Sequence, residues 1–325
     1  MPPTYEDIEH AARRLAGHAV RTPVIESPHL NSIAGGRVLI KAECLQRTGS
    51  FKFRGAWNRI SQLDPQSAPG GVVAYSSGNH AQGVAAAAQL RGLPALIVMP
   101  ADTPRIKQEN TKAFGAEVVT YDRARESREE IAAHHVRERG AVLVPPFDDP
   151  HIIAGQGTAG LELAAEAEQR GVSLDHVLVC CSGGGLTAGV ALAMEKRQPG
   201  AKVHSVEPEG FDDTLRSLKS GRIERNDRAS GSICDALMSP SPGELTFAIN
   251  KRLLGPGLKV SDAEAAEAVR FGFEVLKLVL EPGGAVALAA LLAGRIDAHG
   301  RTVGVIASGG NCDPDTFARI LRREI

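Results

Sequence analysis

The strongest constraint on the fold is a rhythm that begins at Gly71. The apolar runs "GVVAY" and "PALIVMP" read as buried strands, and "NHAQGVAAAAQLRG" between them reads as a helix closed by Gly92. The pattern continues with "TPRIKQENTKAFG" as a helix with Pro at its start, "AEVVTY" as a strand, "RARESREEIAAHHVRERG" as a charged helix and "AVLVP" as a strand. After "PPFDDP" it restarts: a helix from about Ile152, the strand "HVLVC", a helix from Leu186, the strand "KVHSVE", and "RTVGVIA" before a last short helix. Strands alternating with helices build parallel sheets, so the expectation is an α/β protein of two open layers. The stretch from Leu218 to Gly257, rich in Ser, Pro, Gly and Arg without a clear period, reads as loops and short turns over the second sheet.

Composition narrows the function classes. A chain of 325 residues, 43% hydrophobic, can fill the cores of two ordinary domains. Lys and Arg number 37 against 38 Asp and Glu, which leaves no basic stripe for a phosphate backbone and argues against nucleic acid as a partner. No apolar run reaches the ~18 residues of a membrane span, and "MPPTYEDIEHAARRLAG" reads as an amphipathic helix, with Thr4 and Asp7 as a capping box, rather than a signal peptide. A soluble, cytoplasmic protein is expected. Cys44, Cys180, Cys181, Cys234 and Cys312 are odd in number and lack C-x-x-C spacing, so they read as reduced core thiols.

Four glycine-rich stretches compete for attention. "GQGTAG", Gly155 to Gly160, satisfies the dinucleotide pattern G-x-G-x-x-G, but no strand runs directly into it and Asp175 comes too early for a ribose-binding acid. "VLVCCSGGGLTAG" has the better context, because Gly183, Gly184 and Gly185 join a strand to a helix whose N-terminal amides can close around an anion such as phosphate. "SSGNHAQG", Ser76 to Gly83, also lies between strand and helix and suits a carboxylate, although an ordinary polar cap explains it too. "VIASGGNCD" projects Ser308 from the carboxyl edge of a strand, where ligands of open α/β sheets bind.

In "TGSFKFRGA" the amine of Lys52 sits between Phe51 and Phe53, which would desolvate it and lower its pKa toward neutrality. A nucleophilic amine, a phosphate cradle, a carboxylate nest and a hydroxyl at a strand end together suggest pyridoxal phosphate held as a Schiff base. Lys41 is the rival, but in "RVLIKAE" it lies beside Glu43, where an ion pair explains it. The remaining lysines read mostly as solvated charges.

The chain here resembles the fold type II pyridoxal-phosphate enzymes, specifically the serine/threonine dehydratase and serine racemase group, from "RTPV" at Arg21 to "SGGN" at Asn311. "TGSFKFRGA", "SSGNHAQG", "IAGQGT", "SGGGLTAG", "LEPGGA" and "SGGN" occur in that family's order. The resemblance implies a tryptophan synthase β-like fold of two open α/β domains with the active site between them: a large cofactor-binding domain of residues 1–70 plus 149–325 and a small mobile domain of residues 71–148. It implies that Lys52 forms the Schiff base, Phe51 packs on the ring, Asn79 bonds the ring hydroxyl, Ser182, Gly183, Gly184, Gly185 and Leu186 hold the phosphate, and Ser308 meets the pyridine nitrogen. Glu281 falls near the ring. Ser76, Ser77, Asn79 and His80 match the substrate-carboxylate loop, while Arg128 and Ser239 match positions that reach the far end of the substrate. Arg128 also reads as a solvated helix charge, and His80 as a helix cap. "VEPEGFDD" resembles a divalent-cation site, with Glu207 and Asp213 as carboxylate ligands, the Phe211 carbonyl beside them, and Mg²⁺ or Ca²⁺ as the ion; acids decorating a helix N-terminus are the competing reading.

A serine rather than a carboxylate at the pyridine nitrogen leaves a weaker electron sink, which favours loss of a β-hydroxyl after Cα deprotonation by Lys52. The expected activity is elimination of L-threonine or L-serine to a 2-oxo acid and ammonia. Ser77, whose hydroxyl faces Cα opposite the lysine in the racemases, keeps serine racemisation open, and Arg128 keeps 3-hydroxyaspartate open. A non-catalytic pyridoxal-phosphate or small-ligand binding protein is the alternative from another class. Two departures stand out: Ser182 replaces the first of four glycines usual in the phosphate loop, and "EPGGA" replaces the commoner threonine or serine form after Glu281. Homodimerisation is implied by the resemblance alone.

Overall fold

The computed structural model describes residues 1–66, 68–76, 78–103, 105–122 and 125–325, and the backbone alone for Arg105 and Ile106. Among the described residues, ten strands form two sheets. The six-stranded sheet contains Val24–Ile25 (β1), Arg37–Ala42 (β2), His176–Cys180 (β7), Lys202–Pro208 (β8), Leu258–Val260 (β9) and Thr302–Ala307 (β10). Its order is β1-β2-β10-β7-β8-β9, and every pair but β1 with β2 is parallel. Val72–Tyr75 (β3), Ala95–Pro100 (β4), Glu117–Tyr121 (β5) and Val142–Leu143 (β6) form a parallel sheet ordered β5-β4-β3-β6. The two-layer α/β architecture expected from the alternation is present. The strand expected over "AVLVP" shrinks to two residues at a sheet edge.

The helices are Tyr5–Leu15 (α1), Pro28–Ala34 (α2), Lys52–Ile60 (α3), Asn79–Arg91 (α4), Arg105–Ala113 (α5), Arg128–Arg139 (α6), Pro150–Gln169 (α7), Gly185–Arg197 (α8), Asp213–Ser220 (α9), Glu244–Leu253 (α10), Asp262–Phe271 (α11), Pro282–Leu292 (α12) and Pro314–Leu321 (α13). The Thr4–Asp7 capping box of α1 forms as expected. Pro104, expected to open the α5 segment, lies outside the described residues. Among the described residues, no helix is long and apolar enough to cross a membrane. One apolar cluster fills the six-stranded sheet and the helices against it, and a second joins α1, α3, α4, α7 and α8 to β3 and β4.

The segment expected to be irregular between Leu218 and Gly257 contains α10. Thr246, Phe247, Ile249 and Asn250 are its buried residues, but its N-cap, Gly243, offers no side chain. Asp148 supplies the cap instead, accepting from the Glu244 amide at 3.1 Å and the Thr246 amide at 3.0 Å across 98 positions of sequence. A cap so distant leaves no local start signal.

The misleading G-x-G-x-x-G stretch lies inside α7, where its glycines let three helices approach. A Cβ on Gly155 would fall 2.6 Å from the Gly55 Cα of α3, and one on Gly157 would fall 2.9 Å from the Gly189 carbonyl oxygen of α8. From the other side, a Cβ on Gly189 would lie 2.4 Å from the Ile153 carbonyl and 2.5 Å from the Gly157 nitrogen. Backbone cannot move aside as a flexible side chain can. Gly189→Ala is therefore expected to destabilise the protein by about 1–3 kcal/mol in urea unfolding, whereas Gly200→Ala, whose added methyl meets no atom within 4 Å, leaves the midpoint unchanged. Equal midpoints for the two variants would show that the α7–α8 contact yields freely.

Candidate active site

The carboxyl ends of β3, β7 and β10 converge on a cavity of about 190 Å³. Lys52 reaches it because the start of α3 is pinned there: Ser50 bridges Gly309, and the Phe51 amide donates to the Ser308 carbonyl at 3.1 Å. Lys52 Nζ lies 5.3 Å from the centroid of the Phe51 ring and donates to the Pro146 carbonyl at 2.7 Å. Desolvation of an amine whose partner is a carbonyl rather than a carboxylate pulls its pKa down to about 8. Phe53 does not line the cavity. Successive helical residues diverge by about 100°, and the Phe53 ring turns into the core beside Trp57. Lys41 is buried elsewhere, bonded to the Thr22 carbonyl at 2.6 Å and Glu162 at 2.5 Å, with Glu43 farther away at 3.9 Å.

The loop between β7 and α8 forms a second wall. Gly184 has φ 91°, which favours glycine, and a Cβ on Gly183 would strike the Phe147 ring at 2.2 Å. The Gly183 carbonyl accepts from Thr246 Oγ1 at 2.6 Å and the Gly184 carbonyl from Asn250 Nδ2 at 3.3 Å. With its carbonyls held by α10, the loop presents the amides of the α8 N-terminus, which have no partner within the helix, to the cavity, a cradle for an anion. The Ser182 hydroxyl does not join them: it donates to Ser239 Oγ at 2.7 Å.

At the opposite wall Cys180 Sγ donates to Ser308 Oγ at 3.0 Å, which leaves the serine hydrogen available as a donor. The Asn79 amide is fixed by its neighbours. Its oxygen accepts from Asn311 Nδ2 at 2.7 Å, and its nitrogen donates to Glu281 at 2.6 Å with one hydrogen to spare. Burial, reinforced by Asp235, raises the Glu281 carboxyl to about 7. Amine, amide cradle and buried hydroxyl together make a donor set that fits a phosphorylated aldehyde of the pyridoxal type.

The mouth of the cavity gathers the residues expected to meet a substrate. Ser76, Asn79, His80, Arg128 and Ser239 all line it; Ser77 lies outside the described residues. Gly78 holds the N-cap position of α4, so His80 does not cap that helix. Its Nε2 contacts the Val144 carbonyl at 2.9 Å, and burial next to Lys52 holds the ring neutral, with a pKa down to about 3. What this corner offers an anion is the amides at the start of α4. The Arg128 guanidinium lies 5.0 Å from the Tyr75 ring centroid, and its Nε bonds Glu129 at 2.8 Å. A lysine read as solvated proves otherwise: Lys107 is buried in the cavity wall and bonded to Asp235 at 2.6 Å. Its partner lies 128 positions away, and "RIKQEN" reads locally as a polar helix. Pro146, Phe147 and Gln156 were equally silent in sequence.

Glu207, Phe211 and Asp213 stand apart from this cavity. Both Glu207 oxygens accept amides of α9, from Thr214 at 2.8 Å and Leu215 at 2.7 Å, and Asp213 Oδ1 accepts from Asn226 at 2.6 Å. Burial raises both carboxyls, Asp213 to about 6. Asp213 Oδ2 is buried with no hydrogen-bond partner among the described residues. Among those residues, no three His, Cys, Asp or Glu side chains gather into a metal-binding group.

The lowered pKa of Lys52 has a measurable sign. Below about 8 the ammonium predominates and does not react; above it the free amine predominates. Competitive acetylation of the apoprotein across pH, read by peptide mass spectrometry, is expected to give a midpoint near 8 for Lys52 and a midpoint of ~10.4 for solvated lysines. A Lys52 midpoint among the solvated lysines would remove the desolvation argument.

Residues 15–309 match the family of pyridoxal-phosphate dependent enzymes. The chain is 44% identical to an L-threo-3-hydroxyaspartate ammonia-lyase of Pseudomonas sp over 98% of both chains, and 39% identical to a serine racemase of Schizosaccharomyces pombe over 98% of this chain and 97% of the other. A crystal structure of a T.th. threonine deaminase superposes with a TM-score of 0.89 at 46% identity, over 96% of this chain and 99% of that one. The chain belongs to the family of pyridoxal-phosphate dependent enzymes.

Proposed function

We propose that the chain eliminates a small L-β-hydroxy amino acid, of the threonine and serine class, to a 2-oxo acid and ammonia. The observation that carries this is the Lys52 amine, desolvated to a pKa of about 8 and facing a glycine-amide cradle across one cavity. When bound, pyridoxal 5'-phosphate supplies an electrophilic carbon for amines and a ring that takes up negative charge from Cα. Ser182 to Leu186 would hold its phosphate by backbone amides, Asn79 its ring hydroxyl, Phe51 its face, and Ser308 its nitrogen, with Glu281 tied to Asn79. Ser308 is a hydroxyl donor, so it does not hold that nitrogen protonated.

Lys52 Nζ, whose free amine predominates above about pH 8, would take the Cα proton. The β-hydroxyl leaves as water, the proton withdrawn from Cα balancing the one it takes up, and a second water converts the unsaturated amine to 2-oxo acid and ammonia. Ser76 and the amides at Asn79 and His80 would hold the substrate carboxylate. Closure of residues 71–148 over the substrate would exclude bulk water during the proton transfers.

A second reading has its own support. Arg128 turns a guanidinium into the cavity, and a distal carboxylate such as that of L-threo-3-hydroxyaspartate would pair with it. The hydroxyaspartate lyase relative agrees with that reading, the threonine deaminase structure with the first. Serine racemisation rests on Ser77 and on the racemase relative. Assay of 2-oxo acid from L-threonine, L-serine, L-threo-3-hydroxyaspartate and D-serine separates them, with chiral analysis of the remaining serine. We expect elimination from at least one L-β-hydroxy amino acid and loss of at least ~10³-fold in Lys52→Ala, the scale of a missing general base. Full turnover by that variant would refute the mechanism, and a visible, borohydride-sensitive band without turnover would favour a carrier.

We further propose a homodimer, and a divalent cation at Glu207, the Phe211 carbonyl and Asp213, supported by the unpartnered buried Asp213 Oδ2. Two carboxylates and one carbonyl leave about half or more of a six- to eight-oxygen shell to water. Millimolar Mg²⁺ or Ca²⁺ is expected to raise the melting temperature of chelator-treated protein, and Asp213→Asn to abolish the rise. An identical response in that variant would place the ion elsewhere.

A further inference from the structure

Ser182 occupies a position where this phosphate loop departs from an all-glycine run, and its hydroxyl is turned away from the loop. It donates to Ser239 Oγ at 2.7 Å and accepts from the Ser239 backbone amide at 3.3 Å. The other side of the same residue is held as well. Asn226 Nδ2 donates to the Ser239 carbonyl at 2.8 Å, while the Asn226 amide donates to the Pro240 carbonyl at 2.8 Å. Ser239 is thus fixed at its amide, carbonyl and hydroxyl, at the edge of the cavity.

A hydroxyl carries one hydrogen and two lone pairs. Once Ser182 places its hydrogen on Ser239 Oγ, the hydrogen of Ser239 must go elsewhere, and the cavity is open to it. Accepting one bond also polarises the Ser239 hydroxyl, which makes it a stronger donor. The reverse order would have the opposite effect: with the Ser182 hydrogen spent on a bound phosphate, Ser239 would donate to Ser182 and face the cavity as an acceptor.

We propose that Ser182 is a positioning residue for substrate selection: it orders the Ser239 hydrogen so that Ser239 donates to an oxygen at the side-chain end of the substrate. The proposal rests on the amino-acid elimination reading above and goes beyond it, because it assigns the hydroxyl of the loop's departing residue to the substrate and leaves only its backbone amide to the phosphate. The ligand class it selects carries an acceptor there, a hydroxyl or a carboxylate oxygen. An ammonium-ended side chain has no lone pair and leaves the ordered Ser239 hydrogen without an acceptor.

The test uses the pyridoxal-phosphate-loaded protein and its Ser182→Gly, Ser182→Ala, Ser239→Ala and Ser182→Gly/Ser239→Ala variants. Two dissociation constants are read from visible absorbance: that of pyridoxal phosphate on the apoprotein, and that of L-threonine or L-threo-3-hydroxyaspartate on the loaded protein, the latter by stopped flow from the rapid absorbance change that precedes turnover. Both Ser182 variants should weaken the amino acid about three- to tenfold, the size of one lost hydrogen bond, and leave pyridoxal phosphate within about twofold. Ser239→Ala should match them, and the double variant should be no worse than Ser239→Ala. Ser182 variants that weaken pyridoxal phosphate more than the amino acid would overturn the proposal, as would losses that multiply in the double variant. Agreement between Ser182→Gly and Ser182→Ala separates the hydroxyl from loosening of the loop. Both constants are binding measurements, so a protein that binds amino acids without eliminating them would refute the activity while still judging the proposal.

Discussion

The structure depends on an ion cluster in its core. Arg54, fully buried on α3, bonds Glu43 through Nε at 2.7 Å and Nη2 at 2.8 Å, and Glu162 through both terminal nitrogens at 2.8 Å. Lys41 joins Glu162 at 2.5 Å, and Thr22 donates to Glu43 at 2.5 Å. Two cations and two carboxylates make the cluster neutral, and the Thr158 hydroxyl and Val20 carbonyl take further Arg54 donors. Ions removed from water cost several kcal/mol each, and only such dense pairing offsets that. The cluster ties β2 and α7 to α3 two residues beyond Lys52, so the direction of the reactive amine is set from behind by groups that never enter the cavity.

Partner chemistry then decides what burial does to each cavity group. Lys52 and Lys107 are both desolvated, which lowers an ammonium pKa. Lys107 meets the Asp235 carboxylate, whose attraction outweighs desolvation and raises it. Lys52 meets a carbonyl, so desolvation prevails. One lysine is thereby kept as a structural cation between α5 and the Asp235 turn, and the other as an amine whose pKa is lowered to about 8. Glu281 follows the same logic with the opposite charge, because neither Asn79 nor Lys107 offsets its burial beside Asp235.

What the sequence shows is what is local. The β-α alternation, the Lys52 segment and the three glycines after β7 carry their signals within a few residues, and the structure gathers them at one cavity. Non-local pairing escapes such a reading. Lys107 looks solvated until Asp235 comes beside it, α10 lacks a start signal because Asp148 caps it from another element, and Phe53 shares its neighbour's composition but not its direction. The glycines of α7 show the converse: a pattern built for close helix approach copies, in letters, one built for phosphates.

Three consecutive residues show how the non-local part is assembled. The Pro146 carbonyl accepts the Lys52 ammonium, the Phe147 ring fills the space that makes residue 183 a glycine, and Asp148 caps α10. That helix in turn holds the Gly183 and Gly184 carbonyls through Thr246 and Asn250, which leaves the loop amides facing the cavity. Amine and anion cradle are therefore not independent parts on a common scaffold. A shift of the 146–148 backbone moves the acceptor of Lys52 and the cap behind the cradle together, so substitutions in the two halves of the site should couple rather than add. The composition of the segment gives no hint of this role; its importance lies in touching both halves at once.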